Sequence, residues 1–81
     1  MQIDIITPDH LVFTGEAVSA TFPGTDGSFQ VLNNHAPLIS TLERGKITLK
    51  TSEGDKNWEV DGGVVEVLNN KITVLAEAIL S

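Results

Sequence analysis

The sequence predicts an all-β fold, a compact antiparallel β-sandwich or flattened barrel of about eight to ten short strands, on three observations. Apolar and polar residues alternate over short runs, the period of a half-buried strand. Gly, Pro, Asn and Asp separate these runs at close intervals, and these are the residues that supply tight turns. No long amphipathic helical stripe is present. Ala76-Glu77-Ala78-Ile79-Leu80 would begin one, but five residues before Ser81 cannot sustain a helix, because nucleation costs more than so few bonds return.

Gln2 to Thr7 reads as the first strand, closed by a Thr7-Pro8-Asp9-His10 turn with proline where its fixed φ suits the second turn position. Leu11 to Thr14 follows, and Gly15 permits a bend or bulge. Val18, Ala20 and Phe22 then alternate onto one face, with Ser19 and Thr21 on the other. Pro23-Gly24 and Asp26-Gly27 end that strand, Phe29 and Val31 form a brief apolar pair, and Leu38 to Leu42 is another short strand.

Two hairpins can be read with register. If Glu53-Gly54 are the central turn residues, Leu49 faces Trp58 and Ile47 faces Val60, while Lys46 faces Asp61 and Thr48 faces Glu59 on the reverse side. That pairing sorts apolar from polar, as a half-buried sheet requires. The second hairpin turns at Asn69-Asn70, residues that tolerate positive φ. It places Val65, Val67, Ile72 and Val74 on the core face, nearly all β-branched and suited to a pleated sheet. Its reverse face is mixed. Glu66 opposes Thr73 and Leu68 opposes Lys71, but Val64 opposes Leu75, with Ile79 and Leu80 just downstream. Such a pair is either scattered surface apolarity or the edge of a docking surface.

The chain forms one domain, residues 1–81. At this size folding buries roughly 60% of the unfolded chain's surface, near the lower limit for folding alone. There is no cysteine, so neither a disulfide nor a thiolate metal site supplements the core. Eleven acidic against five basic residues give a net charge of −6, the wrong balance for a phosphate backbone, so nucleic acid is excluded as a partner. Arg44, Lys46, Lys50 and Lys56 cluster within thirteen positions, most simply a solvated strand face. Met1 is followed by Gln2 and Asp4 rather than by a basic and then apolar stretch, so no signal peptide is expected. No apolar run approaches the roughly 20 residues that cross a bilayer, so no direct membrane insertion is expected.

Catalytic chemistry finds no footing. Gly45-Lys46 fails as a phosphate loop, since the first glycine would fall at Ser40 and the hydroxyl ligand at Ile47. Gly24 and Gly27 lack a third glycine, a following helix and a basic residue, and read as a turn. His10 and His35 share no metal-ligand spacing. Ser19, Ser28, Ser40 and Ser52 do not sit on a Gly-x-Ser-x-Gly elbow. Asp9, Asp26 and Asp55 read as turn residues, whose side chains are expected to bond backbone amides. No catalytic residue, metal or cofactor is expected.

One run of sixteen residues, Pro23-Gly-Thr-Asp-Gly-Ser-Phe-Gln-Val-Leu-Asn-Asn-His-Ala-Pro-Leu38, resembles a segment of the epsilon subunit of F-type ATP synthases. Further landmarks follow in the same order: Leu42-Glu43-Arg44-Gly45, then Gly62-Gly63-Val64-Val65-Glu66-Val67, then Val74-Leu75-Ala76-Glu77. The resemblance covers nearly the whole chain and implies the N-terminal β-sandwich of that family. It implies a non-catalytic part of the central stalk, clamped to the gamma subunit and seated on the membrane ring of c subunits, in a complex that also contains alpha, beta and delta. Such a part couples proton or sodium flow to ATP synthesis. It would sit as a peripheral protein on the cytoplasmic face of a bacterial inner membrane, or the equivalent side of an organelle membrane. By the same resemblance Thr25, Asp26, Gly27, Ser28 and Phe29 face the c-ring, and Thr7, His35, Ala36, Pro37 and Leu38 face gamma. His35 has an alternative role, capping a turn by hydrogen bonds. Pro37 stiffens that corner and drives Ala36 toward extended backbone.

Three departures from the family pattern stand out. Ser28 occupies a position often acidic, and Gln30 and Asn33-Asn34 stand where Gly and Pro-Gly are common. The family's C-terminal helical hairpin, which carries inhibition of ATP hydrolysis and in some members nucleotide binding, has no counterpart here, so neither property is assigned. A different class of function, a free-standing β-sandwich module for a small ligand or glycan, would need an aromatic platform. One Trp, three Phe and no Tyr, with Trp58 on the core face, supply little for one.

Overall fold

The computed structural model describes residues 1–81. It contains seven strands and no helix: β1 (Gln2–Ile6), β2 (Leu11–Glu16), β3 (Ser19–Gly24), β4 (Gly27–Leu32), β5 (Leu38–Thr51), β6 (Gly54–Leu68) and β7 (Lys71–Ala76). Hydrogen bonding orders them β2-β1-β7-β6-β5-β3-β4 in one continuous sheet. The all-β class holds, with fewer and longer strands than expected, because β5 and β6 each run through what read as separate elements.

The lengths of β5 and β6 show why the sheet becomes two layers. A straight strand of 14 or 15 residues would reach about 45 Å, yet the longest extent of the molecule is 27 Å. Both strands must bend. The ladder pairs Leu38–Leu42 with Gly63–Val67 and Arg44–Thr51 with Gly54–Asp61, and skips Glu43 and Gly62. At the same level β3 slips against β5 between Thr21 and Gly24, and Gly62 and Gly63 carry positive φ, 97° and 150°. The N-terminal part of β5 with the C-terminal part of β6, β7, β1 and β2 forms the first layer. The remaining parts of β5 and β6 with β3 and β4 form the second.

Sixteen buried apolar residues fill the space between the layers, with Ile3, Ile5, Phe22, Val31, Ile47, Leu49, Val60, Val65, Ile72 and Val74 among those fully sealed. Phe29 tilts onto Phe22 at 5.6 Å between ring centroids, and Trp58 onto Phe13 at 5.1 Å. Trp58 is half-buried on the core side, as its place in the alternation predicts.

The Asn69-Asn70 hairpin has the expected register, with Val65 opposite Val74, Val67 opposite Ile72 and Val64 opposite Leu75. Both asparagines adopt positive φ, 52° and 60°. The other hairpin differs by two residues. Its turn centres on Ser52-Glu53, so Ile47 faces Trp58, Lys46 faces Glu59 and Leu49 faces Lys56. Thr51 decides this: its hydroxyl donates to the Gly54 carbonyl at 2.8 Å and accepts from the Glu53 amide at 3.1 Å. Because the slip is an even number, Ile47, Leu49 and Val60 still face inward.

Val18 departs from the alternation expected of it. β3 begins only at Ser19, Ser19 and Ala20 are both buried, and Val18 is 58% exposed. The ladders are antiparallel except one: β1 runs parallel to β7, pairing Ile3 with Ile72 and Ile6 with Leu75. Past β7 the chain forms no helix. Ala78 to Ser81 lies antiparallel along β6, with the Leu80 amide donating to the Glu59 carbonyl at 2.7 Å and Ile79 bridging to Val60.

Candidate docking surfaces

Thr25-Asp26 are the two turn residues joining β3 to β4. The turn is tied down on one side: the Thr25 amide donates to the Thr41 carbonyl at 3.1 Å, and the two threonine hydroxyls meet at 2.7 Å. Asp26, Gly27 and Ser28 are exposed, while Phe29 is held by Phe22. The result is a short, braced projection carrying one carboxylate and one hydroxyl.

Thr7 is buried in the β1–β2 connection. Its amide donates to the His10 carbonyl at 3.0 Å, and its hydroxyl accepts from the His10 amide at 3.4 Å. Thr7 therefore shapes the turn, and Pro8, Asp9 and His10 are the exposed residues there. His35 is also exposed. Its Nδ1 lies 2.7 Å from the Ala36 carbonyl, so in that contact the ring N–H donates, and its amide donates to the Leu32 carbonyl at 3.2 Å. The loop is buttressed by Asn70, whose side-chain oxygen accepts from the Asn34 amide at 2.8 Å. Ala36 and Pro37 are exposed, and Leu38 is half-buried against the core.

The ladder places these groups relative to one another. Leu38, Val67, Ile72 and Ile3 share one row across the first layer, and Thr41, Val64, Leu75 and Ile6 share another, three residues further along β1. The Thr25 turn is bonded to Thr41, and Thr7 follows Ile6, so both lie at one end of the layer. His35-Ala36-Pro37 precede Leu38 at the opposite end. The structure thus does not bring Thr7 together with His35–Leu38; they flank the same layer from its two ends.

Between them lies a feature only partly visible in the sequence. The outward pair Val64–Leu75 extends through Ile6 to Leu11, forming one hydrogen-bonded row over four strands. Val64, Leu75 and Leu11 are 37%, 53% and 54% exposed. A sheet face turned to water is normally polar, and the next row is: Glu66, Thr73, Asp4 and Thr14. Ile39, opposite Glu66, is 71% exposed at its side. Ile6 and Leu11 were missed because their neighbours on the face are set by the parallel β1–β7 pairing. The one local signal is the Ile5-Ile6 doublet, of which only one member can face the core.

Beside the row, Ile6, Thr7, Pro8, Leu75, Ala76 and Glu77 line a shallow, open cleft of about 400 Å³. The polar row is knitted by Asp4, which accepts from the Thr14 hydroxyl at 2.7 Å and from Gln2 Nε2 at 3.1 Å, with Lys71 Nζ at 3.5 Å. The Thr14 and Gln2 hydrogen bonds, with the Lys71 charge, hold its carboxyl below the usual value. No group of three His, Asp or Glu side chains is arranged to hold a metal ion, and no helix is long and apolar enough to cross a membrane. What this arrangement offers chemically is adhesion: a braced polar projection, an apolar row and a stiff corner.

The family model of the ATP synthase delta/epsilon chain β-sandwich domain matches residues 1–81. The chain is 42% identical over 77 residues to the ATP synthase epsilon chain of Chlorobium limicola, covering 94% of this chain and 88% of that one. It is 36% identical over 77 residues to the epsilon chain of Leptospira borgpetersenii, covering 95% of this chain but only 61% of that one. Among solved structures, a chain of the Tetrahymena thermophila mitochondrial ATP synthase central stalk and c-ring superposes with a TM-score of 0.83 at 14% identity. That likeness covers 99% of this chain and 65% of the other. A chain of the Euglena gracilis mitochondrial ATP synthase gives a TM-score of 0.88 at 16% identity, over 96% of this chain and 51% of the other. At these identities the two superpositions establish the shared fold. The catalytic sites of the synthase are in other subunits. With a match along its whole length to the family model and 42% identity to a relative of similar size, this chain belongs to the family of ATP synthase delta/epsilon chain β-sandwich domains.

Proposed function

We propose that the chain is a non-catalytic rotor component of a proton- or sodium-translocating F-type ATP synthase, linking the gamma subunit to the c-ring. In this role the Thr25–Phe29 hairpin meets the polar loops of the ring. The flank between Thr7 and His35–Leu38 seats gamma, on the side of the membrane where the alpha, beta and delta subunits also assemble. The protein would then be membrane-associated through its partners, on the cytoplasmic face or its organelle equivalent.

One observation carries the reading. The outer face of the first layer presents an apolar row, Val64–Leu75–Ile6–Leu11, where a self-contained sandwich would be polar. A coupling part needs rigidity and adhesive faces, and the braced hairpin and stiff Ala36-Pro37 corner supply them without reactive groups. The alternative, a free-standing binding module, is less well supported. Trp58 is half-buried against Phe13 rather than displayed, and no aromatic residue lines the apolar cleft.

The test is reconstitution. Mixed with the gamma subunit, the chain is expected to co-migrate in a one-to-one complex on size exclusion. Within an assembled synthase a cysteine placed at Ser28 is expected to cross-link to c-ring loops. Purified gamma that never co-migrates with the folded chain would overturn the proposal.

A further inference from the structure

Two Asp-Gly pairs occur in the chain, Asp26-Gly27 and Asp61-Gly62, and no asparagine is followed by glycine. Such a pair has its own chemistry. With no Cβ on the glycine, its amide nitrogen can approach the carboxyl of the preceding side chain. The fold gives the two pairs opposite surroundings. Asp26 and Gly27 are both exposed at the turn between β3 and β4, and Gly24 opposite Gly27 is the last pair of that ladder. A Cβ added at Gly27 would meet nothing within 4 Å, so the space around this peptide is open. The hairpin's side-chain hydrogen bond joins Thr25 to Thr41, and the ion pairs of the molecule engage Glu16 and Asp4. The Asp26 carboxylate is left free to turn.

Asp61-Gly62 lies inside β6 instead. The Asp61 amide donates to the Ala78 carbonyl at 3.1 Å, and the Gly62 carbonyl accepts from the Glu77 amide at 3.1 Å. Gly62 is buried, with a Glu77 carboxylate oxygen and the Leu42 carbonyl 3.0 and 3.3 Å from where its Cβ would stand. Rotating this peptide until the nitrogen reached the side chain would break the strand's hydrogen bonds and open the bend.

We infer that Asp26 is a site of spontaneous isoaspartate formation, and that the fold protects Asp61 from the same reaction. The Gly27 amide nitrogen attacks Cγ of Asp26 in its acid form. A C–N bond forms, the Cγ–OH bond breaks, and the amide proton leaves with that hydroxyl as water. One water then opens the succinimide ring at either carbonyl. Opening at the Asp26 main-chain carbonyl leaves the chain running through Cγ, with one extra backbone atom and a carboxylate directly on Cα. No metal, cofactor or second protein takes part. In a turn of two residues the extra atom must displace the Gly24–Gly27 pair, and the one carboxylate at the tip moves with it. The hairpin thereby records the age of the chain, whatever surface it meets.

Ageing the purified, folded chain in warm neutral buffer tests this. Isoaspartate is counted by radiolabelled methyl transfer from S-adenosylmethionine with an isoaspartyl methyltransferase, and located by peptide mapping. Label in the peptide holding residue 26 should exceed that in the peptide holding residue 61 by at least about tenfold, because the second reaction waits on local opening of a central strand. A sample aged in guanidinium chloride should label both peptides, since unfolding removes the difference. Asp26→Glu, whose closure would need a six-membered imide, should lose most of the folded-state label, and Asp61→Glu should keep it. Melting curves confirm that each variant is folded. Equal label at the two positions in the folded chain would overturn the inference, as would a folded chain unlabelled at residue 26 beside an unfolded one labelled there.

Discussion

Asp4 is a strand residue on the outer face whose contacts bear on stability in acid. It sits at the centre of the polar row and accepts from Thr14 and Gln2 beside the Lys71 ammonium, contacts that favour its ionised form. A carboxyl whose folded value lies below its unfolded value of 3.8 stabilises the fold fully above that pH. The contribution is lost as pH falls through the folded value. Asp4→Asn is therefore expected to be less stable than wild type at neutral pH, with the difference shrinking below about pH 4. Urea midpoints of both proteins between neutral and strongly acid pH would show it. A difference constant with pH would assign the effect to shape rather than charge.

Among the elements, β6 has the most demanding geometry, because it must serve both layers. Its bend falls at Gly62-Gly63, and Gly63 combines a φ of 150° with close approach to β7. A methyl group there would collide with the Leu75 carbonyl and come within 3.0 Å of the Ala76 Cα, both backbone atoms. Neither can yield without disturbing the β6–β7 ladder. Gly63→Ala is expected to cost about 2–4 kcal/mol, against roughly 4–12 kcal/mol in total for a domain of this size. Equilibrium denaturation checks this: the midpoint should drop sharply with an unchanged slope.

The whole molecule joins a small core to an outer face that is incompletely polar. Sixteen buried apolar residues hold the layers together without disulfide or metal, so the free chain stands near the margin for its length. Partner binding should then be a visible part of its stability. If gamma is the partner, as proposed, a hundredfold excess over its dissociation constant would add about 2.7 kcal/mol. For a domain of this size that corresponds to a rise in melting temperature of roughly 10 °C or more. Differential scanning calorimetry with and without gamma would detect it. Leu75→Lys should remove most of the rise while leaving the free protein's melting temperature close to wild type.

Local chemistry by itself determined much of this protein. Period-two alternation placed Ile47, Leu49, Val65, Val67, Ile72 and Val74 in the core, and two asparagines specified the β6–β7 turn and its register. Even the misplaced Ser52-Glu53 turn kept its faces, because a two-residue slip preserves parity. The lack of any clustered nucleophile, base or metal ligand argued against catalysis before a fold was known. Tertiary structure alone decided three things. It set the parallel β1–β7 pairing, which brings Ile6 and Leu11 into line with Val64 and Leu75. It merged short strands into two long ones, bent at Glu43 and Gly62-Gly63. And it placed Thr7 and His35 at opposite ends of one layer. The physical reason is common to all three: side-chain periodicity is a local property, whereas the neighbours of a strand are chosen by burial across the whole chain.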